Sequence, residues 1–378
     1  MRVVFISSLS GLGGGESNSV SLISELKRGY QVEPTLIVGG RGSFLKAAEA
    51  VGIKTAVVNG LRLRKGMVPY WNPAAYRALR LCLDRAKPAV VHVNDWESLF
   101  YVALIRRLHR GSYSVVWTCH GWWQPKIWPL TWAYRQTDRI LVVSKFVREK
   151  FFPGLSIPAE KIEIVHLGVD TEKFCPRPVN PRFRKKLGLA DQEVGIGIIG
   201  RFQKIKGHAR LLTALKELVV GYPCKIFFIG ENVFKRRLDE RNIRMLKRII
   251  KADSRLSRSV IWTGFRQDIE EIISALDLIV CPSDFESFGL VNLEAMASSR
   301  AVLSTNVGGP AEVIVDGKSG FLFSPNNRNE LVKKLEKLIE NKKLREDVGK
   351  RARISVENTF SIKTQAAKIN GVYQRLVK

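Results

Sequence analysis

Short apolar runs of strand-forming residues alternate with amphipathic segments along the whole chain, and this alternation leaves few folds open. Residues 3–7, 35–38, 55–58, 89–93, 114–118 and 140–143 read as strands. Residues 17–27, 43–51, 72–86 and 145–151 read as helices between them. Strands separated by helices imply parallel βαβ units with helices on both faces. Residues 174–181 then carry three prolines and cannot form a regular element. A second series follows, with strands at 195–199, 225–229, 260–262, 278–281 and 301–304. Its helices lie at 209–220, 237–251, 269–274, 329–340 and 344–357, and an amphipathic segment closes the chain at 362–377. At 378 residues and 45% apolar content the chain is long enough for two cores. The expected organisation is a domain at 1–170, a linker at 171–190, a second domain at 191–357, and a C-terminal helix at 358–378 packing back towards the first. The fold class is α/β, two doubly wound Rossmann-like halves. Such halves bind ligands at the C-terminal edges of their strands, and two facing edges make an interdomain cleft.

The richest local signal is Asp284-Phe-Glu286-Ser-Phe-Gly-Leu-Val-Asn-Leu-Glu294, directly after an apolar strand. A strand feeding a Gly-containing loop and then a helix sets backbone N–H groups and the positive helix end at the strand edge, which suits an anion. Glu286 on the loop and Glu294 in the helix cannot bind phosphate, but each can accept hydrogen bonds from paired hydroxyls. The pattern reads as amides for a diphosphate and carboxylates for sugar hydroxyls; a capped surface helix with two solvated acids is the alternative. Gly200-Arg-Phe-Gln-Lys-Ile-Lys-Gly207 follows the first strand of the second half. There Arg201 and Lys206 can clamp a diphosphate and neutralise it as it departs. In the first half, Gly11-Leu-Gly-Gly-Gly-Glu16 opens a helix after the first strand. Its glycines let backbone approach a ligand closely, unless they form a plain flexible turn. The dinucleotide fingerprint fails there, because Glu16 stands where the third glycine would fall and the second strand ends in Gly39-Gly40 with no acid for a ribose. His120-Gly121 sits just past a strand end, and Asp170 caps or hinges the turn that closes the first half. No D-x-D is present, and neither Asp95-Trp-Glu97 nor Asp284-Phe-Glu286 lies in a cluster resembling a magnesium cage.

Net charge is +27, with 23 Lys/Arg against 12 Asp/Glu in residues 1–170 and 39 against 23 in the rest. The excess is a field over both halves that phosphorylated substrates, anionic headgroups or nucleic acid could use. No helix-turn-helix, RNP or zinc-knuckle pattern supports nucleic acid. Two clusters interleave cations with aromatics, one at 61–71 and one around Trp122, Trp123, Lys126, Trp128, Trp132, Tyr134 and Arg135. They suit a membrane surface, or else they are core aromatics with solvated charges between. No apolar run reaches 18 residues, the N-terminus reads as a buried strand, and five scattered cysteines lack a C-x-x-C pair. These features point to a cytoplasmic protein without a spanning helix, a zinc site or a disulfide framework.

Together these residues resemble the retaining glycosyltransferases of family 4, with the two-Rossmann GT-B architecture. The likeness rests on Gly-Gly-Gly-Glu16, His120-Gly, His-Leu-Gly-Val-Asp170, Gly200-Arg-Phe…Lys206-Gly and Trp-Thr-Gly-Phe265. It rests further on Pro-Ser283-Asp-Phe-Glu286-Ser-Phe-Gly…Glu294-Ala and Gly308-Gly-Pro-Ala-Glu312, and it is densest from 195 to 325. His166 stands where many relatives have Asn. The resemblance implies that Arg201 and Lys206 hold the diphosphate of a nucleotide sugar, Glu294 the ribose hydroxyls and Glu286 the donor sugar. It implies that the amides of Ser287, Phe288 and Gly289 hold sugar and phosphate oxygens, that Leu290 also belongs to the substrate-binding residues, and that the backbone near Gly264, Phe265 and Arg266 borders the base. His120 then contacts the donor sugar near its reacting carbon, and Gly14 and Gly15 line the phosphate side.

The implied activity is a retaining transfer of a hexose to a saccharide or lipid-linked saccharide in cell-surface polysaccharide or lipopolysaccharide assembly. No metal or other cofactor is required in this expectation. The implied location is the cytoplasm, peripheral on the inner face of the plasma membrane, with an anionic lipid surface as partner and no nucleic acid. A soluble synthase of sucrose or glycogen type and a catalytically silent nucleotide- or nucleic-acid-binding module are the alternatives.

Overall fold

The structure, a computed structural model, describes the chain except residues 66, 67, 70, 233–236 and 378, with backbone alone at 64, 65, 68 and 69. It divides into two compact units, Met1–Gly168 with Ile362–Lys378, and Val169–Ser361. Each is α/β with one main parallel sheet.

In the first unit the strands are β1 (Arg2–Ser7), β2 (Glu33–Val38), β3 (Lys54–Val57) and a two-residue hairpin, β4 (Arg64–Lys65) with β5 (Val68–Pro69). They continue with β6 (Val90–Val93), β7 (Ser114–Cys119), β8 (Arg139–Val142) and β9 (Ile162–Ile164). The main sheet runs β3-β2-β1-β6-β7-β8-β9, every pairing parallel. All four residues of β6 are buried, as a central strand covered on both faces requires. The helix Ile362–Val377 joins this core, where Ile369, Val372 and Tyr373 pack in one cluster with Ile23 and Leu26 of the helix Gly14–Gly29. Polar groups fasten it as well. The Tyr373 hydroxyl bonds Nδ1 of buried His92, and Nε2 of that ring meets the Thr118 hydroxyl at 2.6 Å. Burial pushes the His92 imidazole down to about 3, so it is neutral at physiological pH.

The helix Trp96–His109 does not announce itself by period. Residues Leu99, Tyr101, Val102, Ala103 and Ile105 are all buried, so no narrow apolar stripe marks it. Its start is chemically plain, since Asp95 accepts the Ser98 N–H at 2.8 Å and the Ser8 N–H at 2.7 Å. Asp95-Trp-Glu97 is therefore a helix start with its acids engaged, Glu97 taking the Ser8 hydroxyl at 3.0 Å.

The second unit holds β10 (Val194–Ile199), β11 (Cys224–Ile229), β12 (Val260–Gly264), β13 (Leu278–Cys281), β14 (Ala301–Thr305) and β15 (Phe321–Phe323). They lie in the order β12-β11-β10-β13-β14-β15, again all parallel. Residues 171–190, read from sequence as a linker, fall within this unit. They include a short helix, Pro181–Lys186, with Pro at its first position and Asn180 accepting the Phe183 N–H. Buried Arg184 donates to the Ala275 and Glu193 carbonyls at 2.8 Å and to Asp277 at 3.0 Å. Asp170 accepts the N–H groups of Glu172 and Lys173, both at 3.0 Å, which turns the chain into the unit.

Candidate functional site

Between β10 and β13 the strand order of the second sheet reverses, and loops that leave such a switch point diverge and open a crevice at the strand ends. The two motif loops leave from this place. Gly200, at φ 149°, and the 3₁₀ turn Lys204–Lys206 carry the first loop. Gly207, at φ 72°, brings it so near Pro282 that a Cβ would lie 1.8 Å from the Pro282 carbonyl oxygen. The Asp284 N–H donates to the Ile205 carbonyl at 2.8 Å. Arg210 then bonds the Pro282 carbonyl and reaches Asp284 at 2.6 Å. Sequence reading missed Arg210, which carries no pattern of its own, and quoted Ser283 within the acidic motif without giving it a role; Ser283 lies three residues before Glu286.

This lacing sets Lys206 Nζ 2.7 and 3.0 Å from the two Glu286 carboxylate oxygens, and the Ser283 hydroxyl donates to the same group at 2.6 Å. Both side chains of the pair are largely shielded, at 26% and 16% exposure. Glu286 is pinned by its backbone too, because Gly309 N–H donates to its carbonyl at 2.9 Å and its own N–H donates to Val307. Gly308, at φ 91°, would put a Cβ 1.8 Å from the Glu286 oxygen. Gly308→Ala should therefore displace Glu286 and lower stability by roughly 2 kcal/mol or more, as read by urea unfolding.

Past this point Gly289, at φ 86°, starts the helix Leu290–Ala297, and Ser287 and Phe288 precede it. The Phe288 ring is buried edge-on against Phe360, so only its main chain can serve a ligand. Half-buried Glu294 is the fifth helical residue. Burial raises its carboxyl to about 7; Lys173 pulls it down and Glu270 pushes it further up. Lys173 and Glu270, themselves 3.6 Å apart, are neighbours that the sequence did not suggest. Arg201 is half-buried on its loop. Phe265 is 48% exposed past β12. The Arg266 side chain is occupied by Asp268, whose carboxyl it holds below the ordinary range, leaving its backbone to border a ligand.

In the first unit Gly14 and Gly15 begin the helix Gly14–Gly29, and the Glu16 carboxylate turns back to accept the Gly13 N–H at 2.9 Å. The loop after β7 brings His120 to the same place, where a methyl on Gly15 would sit 4.0 Å from the imidazole. Burial holds His120 down at about 4, so at neutral pH its ring is uncharged. Gly121 leaves room for the exposed Trp123 ring, which a Cβ there would meet at 2.1 Å and push aside. The sequence-predicted residues thus gather in two groups, Gly14, Gly15 and His120 in one unit and the rest in the other.

Comparison with known proteins agrees with this architecture. Residues 12–173 match Glycosyltransferase Family 4, and residues 179–355 match Glycosyl transferases group 1. Sulfoquinovosyl transferase SQD2 of Arabidopsis thaliana is 29% identical over 296 residues, covering 73% of this chain and 54% of its own. The capsular polysaccharide biosynthesis glycosyltransferase CapM of Staphylococcus aureus is 27% identical over 245 residues, 63% of this chain and 62% of its own. The chain thus spans little more than half the length of these two relatives. Among solved structures, Anabaena HepE in complex with UDP-glucose aligns with TM-score 0.85 at 20% identity over 99% of this chain and 100% of that one. A glycosyltransferase of Rickettsia africae gives 0.85 at 21% identity over 100% and 98%. The fold is GT-B, and the chain belongs to the glycosyltransferases whose first half is of family 4 and whose second half is of group 1.

Proposed function

We propose that this chain moves a hexose from a nucleoside diphosphate sugar to a hydroxyl of a saccharide or lipid-linked saccharide, with retention of anomeric configuration. The observation that carries the reading is the Lys206–Glu286–Ser283 constellation at the switch point of the second sheet. A carboxylate held by a cation and a hydroxyl keeps lone pairs directed for a sugar's hydroxyls, and the same cation lies where a diphosphate would meet the loop. The relatives support a nucleotide donor, since HepE was crystallised with UDP-glucose. The name of CapM supports a role in surface polysaccharide assembly.

In this reading Arg201, Lys206 and the amides at Ser287–Gly289 take the diphosphate charge, so no metal ion is needed to neutralise it. Glu294 receives the ribose hydroxyls and Glu286 those of the hexose. The Phe265–Arg266 backbone borders the base, and Gly14 and Gly15 leave room on the phosphate side. His120, uncharged, serves the sugar near the carbon that reacts. The bond from that carbon to the diphosphate oxygen breaks as the acceptor oxygen bonds on the same face, and the acceptor proton passes to the departing phosphate oxygen. The test is a thermal-shift series with common nucleotide sugars. A ligand at about 100 times its dissociation constant should add about 2.7 kcal/mol of stability. The reading fails if none raises the melting temperature and none is hydrolysed or transferred.

Location at an anionic membrane belongs to the same proposal. Trp123, Ile127 and Trp128 are 63%, 60% and 80% exposed within six residues, beside Lys126. Their loop is built to stay out, because buried Gln124 donates to the Gly121 carbonyl at 3.2 Å and the Tyr134 hydroxyl to Pro125 at 2.8 Å. Of the 61–71 cluster, residues 66, 67 and 70 and the side chains of 64–70 lie outside the described residues, while Trp71 stacks on Tyr101 at 5.0 Å. No helix among the described residues is long and apolar enough to cross a membrane. Flotation with phosphatidylglycerol vesicles should fall about tenfold or more for Trp123→Ser, Trp128→Ser. Equal flotation of variant and parent, or none by either, favours the soluble synthase.

A further inference from the structure

At the end of the first sheet opposite His120, where β7, β8 and β9 begin, a recess of about 530 Å³ is lined by Arg106, Arg107, Arg110, Arg135 and Lys161. Asp138 is its one carboxylate among the described residues. The helices Trp96–His109 and Leu130–Arg135 both finish here, and cations near helix C-termini are ordinary. That explains part of the cluster. Arg106 forks Asp138 at 2.7 and 3.1 Å and donates to the Gln136 carbonyl at 3.1 Å. Asp138 also accepts the Val115 N–H at 2.7 Å. Lys161 Nζ caps the second helix end through the carbonyls of Thr137 at 2.9 Å and Arg135 at 3.3 Å. Arg135 spends Nε on the Leu155 carbonyl at 3.2 Å.

These bonds leave a remainder that fold maintenance does not use. Arg107 and Arg110 are exposed and donate no side-chain hydrogen bond among the described residues, and the terminal nitrogens of Arg135 are likewise uncommitted. With its one carboxylate already engaged by Arg106 and the Val115 N–H, the recess holds an excess of four positive charges on a concave wall, which concentrates anions. Guanidinium groups from two separate helices can share the several acceptor oxygens of a phosphate, each by paired N–H donors. A single carboxylate would satisfy only one of them.

We propose that this recess is a second anion site, binding a phosphate group through Arg107, Arg110 and Arg135. It is separate from the donor site, since the residues assigned there from the first unit lie at the opposite strand ends. The phosphate can belong to a soluble phosphate compound or to a lipid headgroup. The full chain is titrated calorimetrically with sodium pyrophosphate at low ionic strength, and separately with vesicles of phosphatidic acid in phosphatidylcholine. Arg107→Ala, Arg110→Ala should weaken one of the two by about tenfold or more, with thermal unfolding and donor turnover unchanged. The arm that falls names the source. Pyrophosphate bound at the donor site is scored on its own with Arg201→Ala, Lys206→Ala, so either site can fail without the other. Unchanged affinity in both arms overturns the proposal. So does an equal loss on Lys342→Ala, Lys343→Ala, which removes two exposed charges elsewhere and would reveal a net-charge effect only.

Discussion

Arg201→Ala, Lys206→Ala should lower kcat/KM for the nucleotide sugar by about 10²–10⁴-fold. Two effects add. The departing diphosphate loses its fixed positive groups, which matter most in the transition state, where charge develops on the leaving oxygen. The Glu286 carboxylate also loses a cation bonded to both its oxygens and, among the described residues, keeps the Ser283 hydroxyl. A largely shielded carboxylate left short of partners turns towards new ones, which spoils its grip on sugar hydroxyls. Lys206→Ala alone should show both effects; Arg201→Ala should show mainly the first. Steady-state kinetics with donor hydrolysis as the readout decides it, and a loss under tenfold for the double variant would remove the pair from the reaction.

Glu294→Gln should separate stability from function. The Glu294 carboxyl titrates at about 7 in the folded chain against an ordinary value of 4.5, because burial disfavours its charge. Between those values the folded state holds the proton more tightly than the unfolded state. Its contribution to stability is therefore greatest below pH 4.5 and declines as pH rises towards 7. The glutamine, which never ionises, should lose that slope and melt no lower than the parent at pH 7.5. Donor binding should move the other way. Two hydroxyls bonded to a carboxylate are worth about 1.5–3 kcal/mol each, so KM for the donor should rise about tenfold or more. The parent's own KM should rise as pH falls below about 7, when the carboxylate that accepts those hydroxyls is protonated. A KM unaltered by both the substitution and pH would take Glu294 out of the donor site.

Much of the architecture was legible because strands buried on both faces write themselves as unbroken apolar runs. The strand Leu278–Cys281 and the helices Lys145–Phe151, Arg237–Lys251 and Ile362–Val377 carry the boundaries read from sequence. Elements without a clean period were missed. The helix Trp96–His109 is apolar over most of its girth, and Ile162–Ile164 is too short and too exposed to stand out. In the second unit the spacing of Glu286 and Glu294 pointed to a crevice, but nothing local shows that Lys206 would meet Glu286. That contact depends on Gly207 approaching Pro282, a tertiary closeness with no sequence period. The residues from 171 to 190 misled for a related reason: proline clusters mark irregular backbone, and irregular backbone can still be bolted down, here by Arg184.

The return of Ile362–Val377 to the first unit has a consequence for biosynthesis. The second unit is one continuous stretch and can complete itself while translation proceeds, whereas the first must wait for residues 362–377 to leave the ribosome. Until then the groove along Ile23 and Leu26 is uncovered and His92 lacks its tyrosine hydroxyl. The nascent chain therefore carries an unfinished first unit until residues 362–377 are made, with apolar surface open to a holding chaperone.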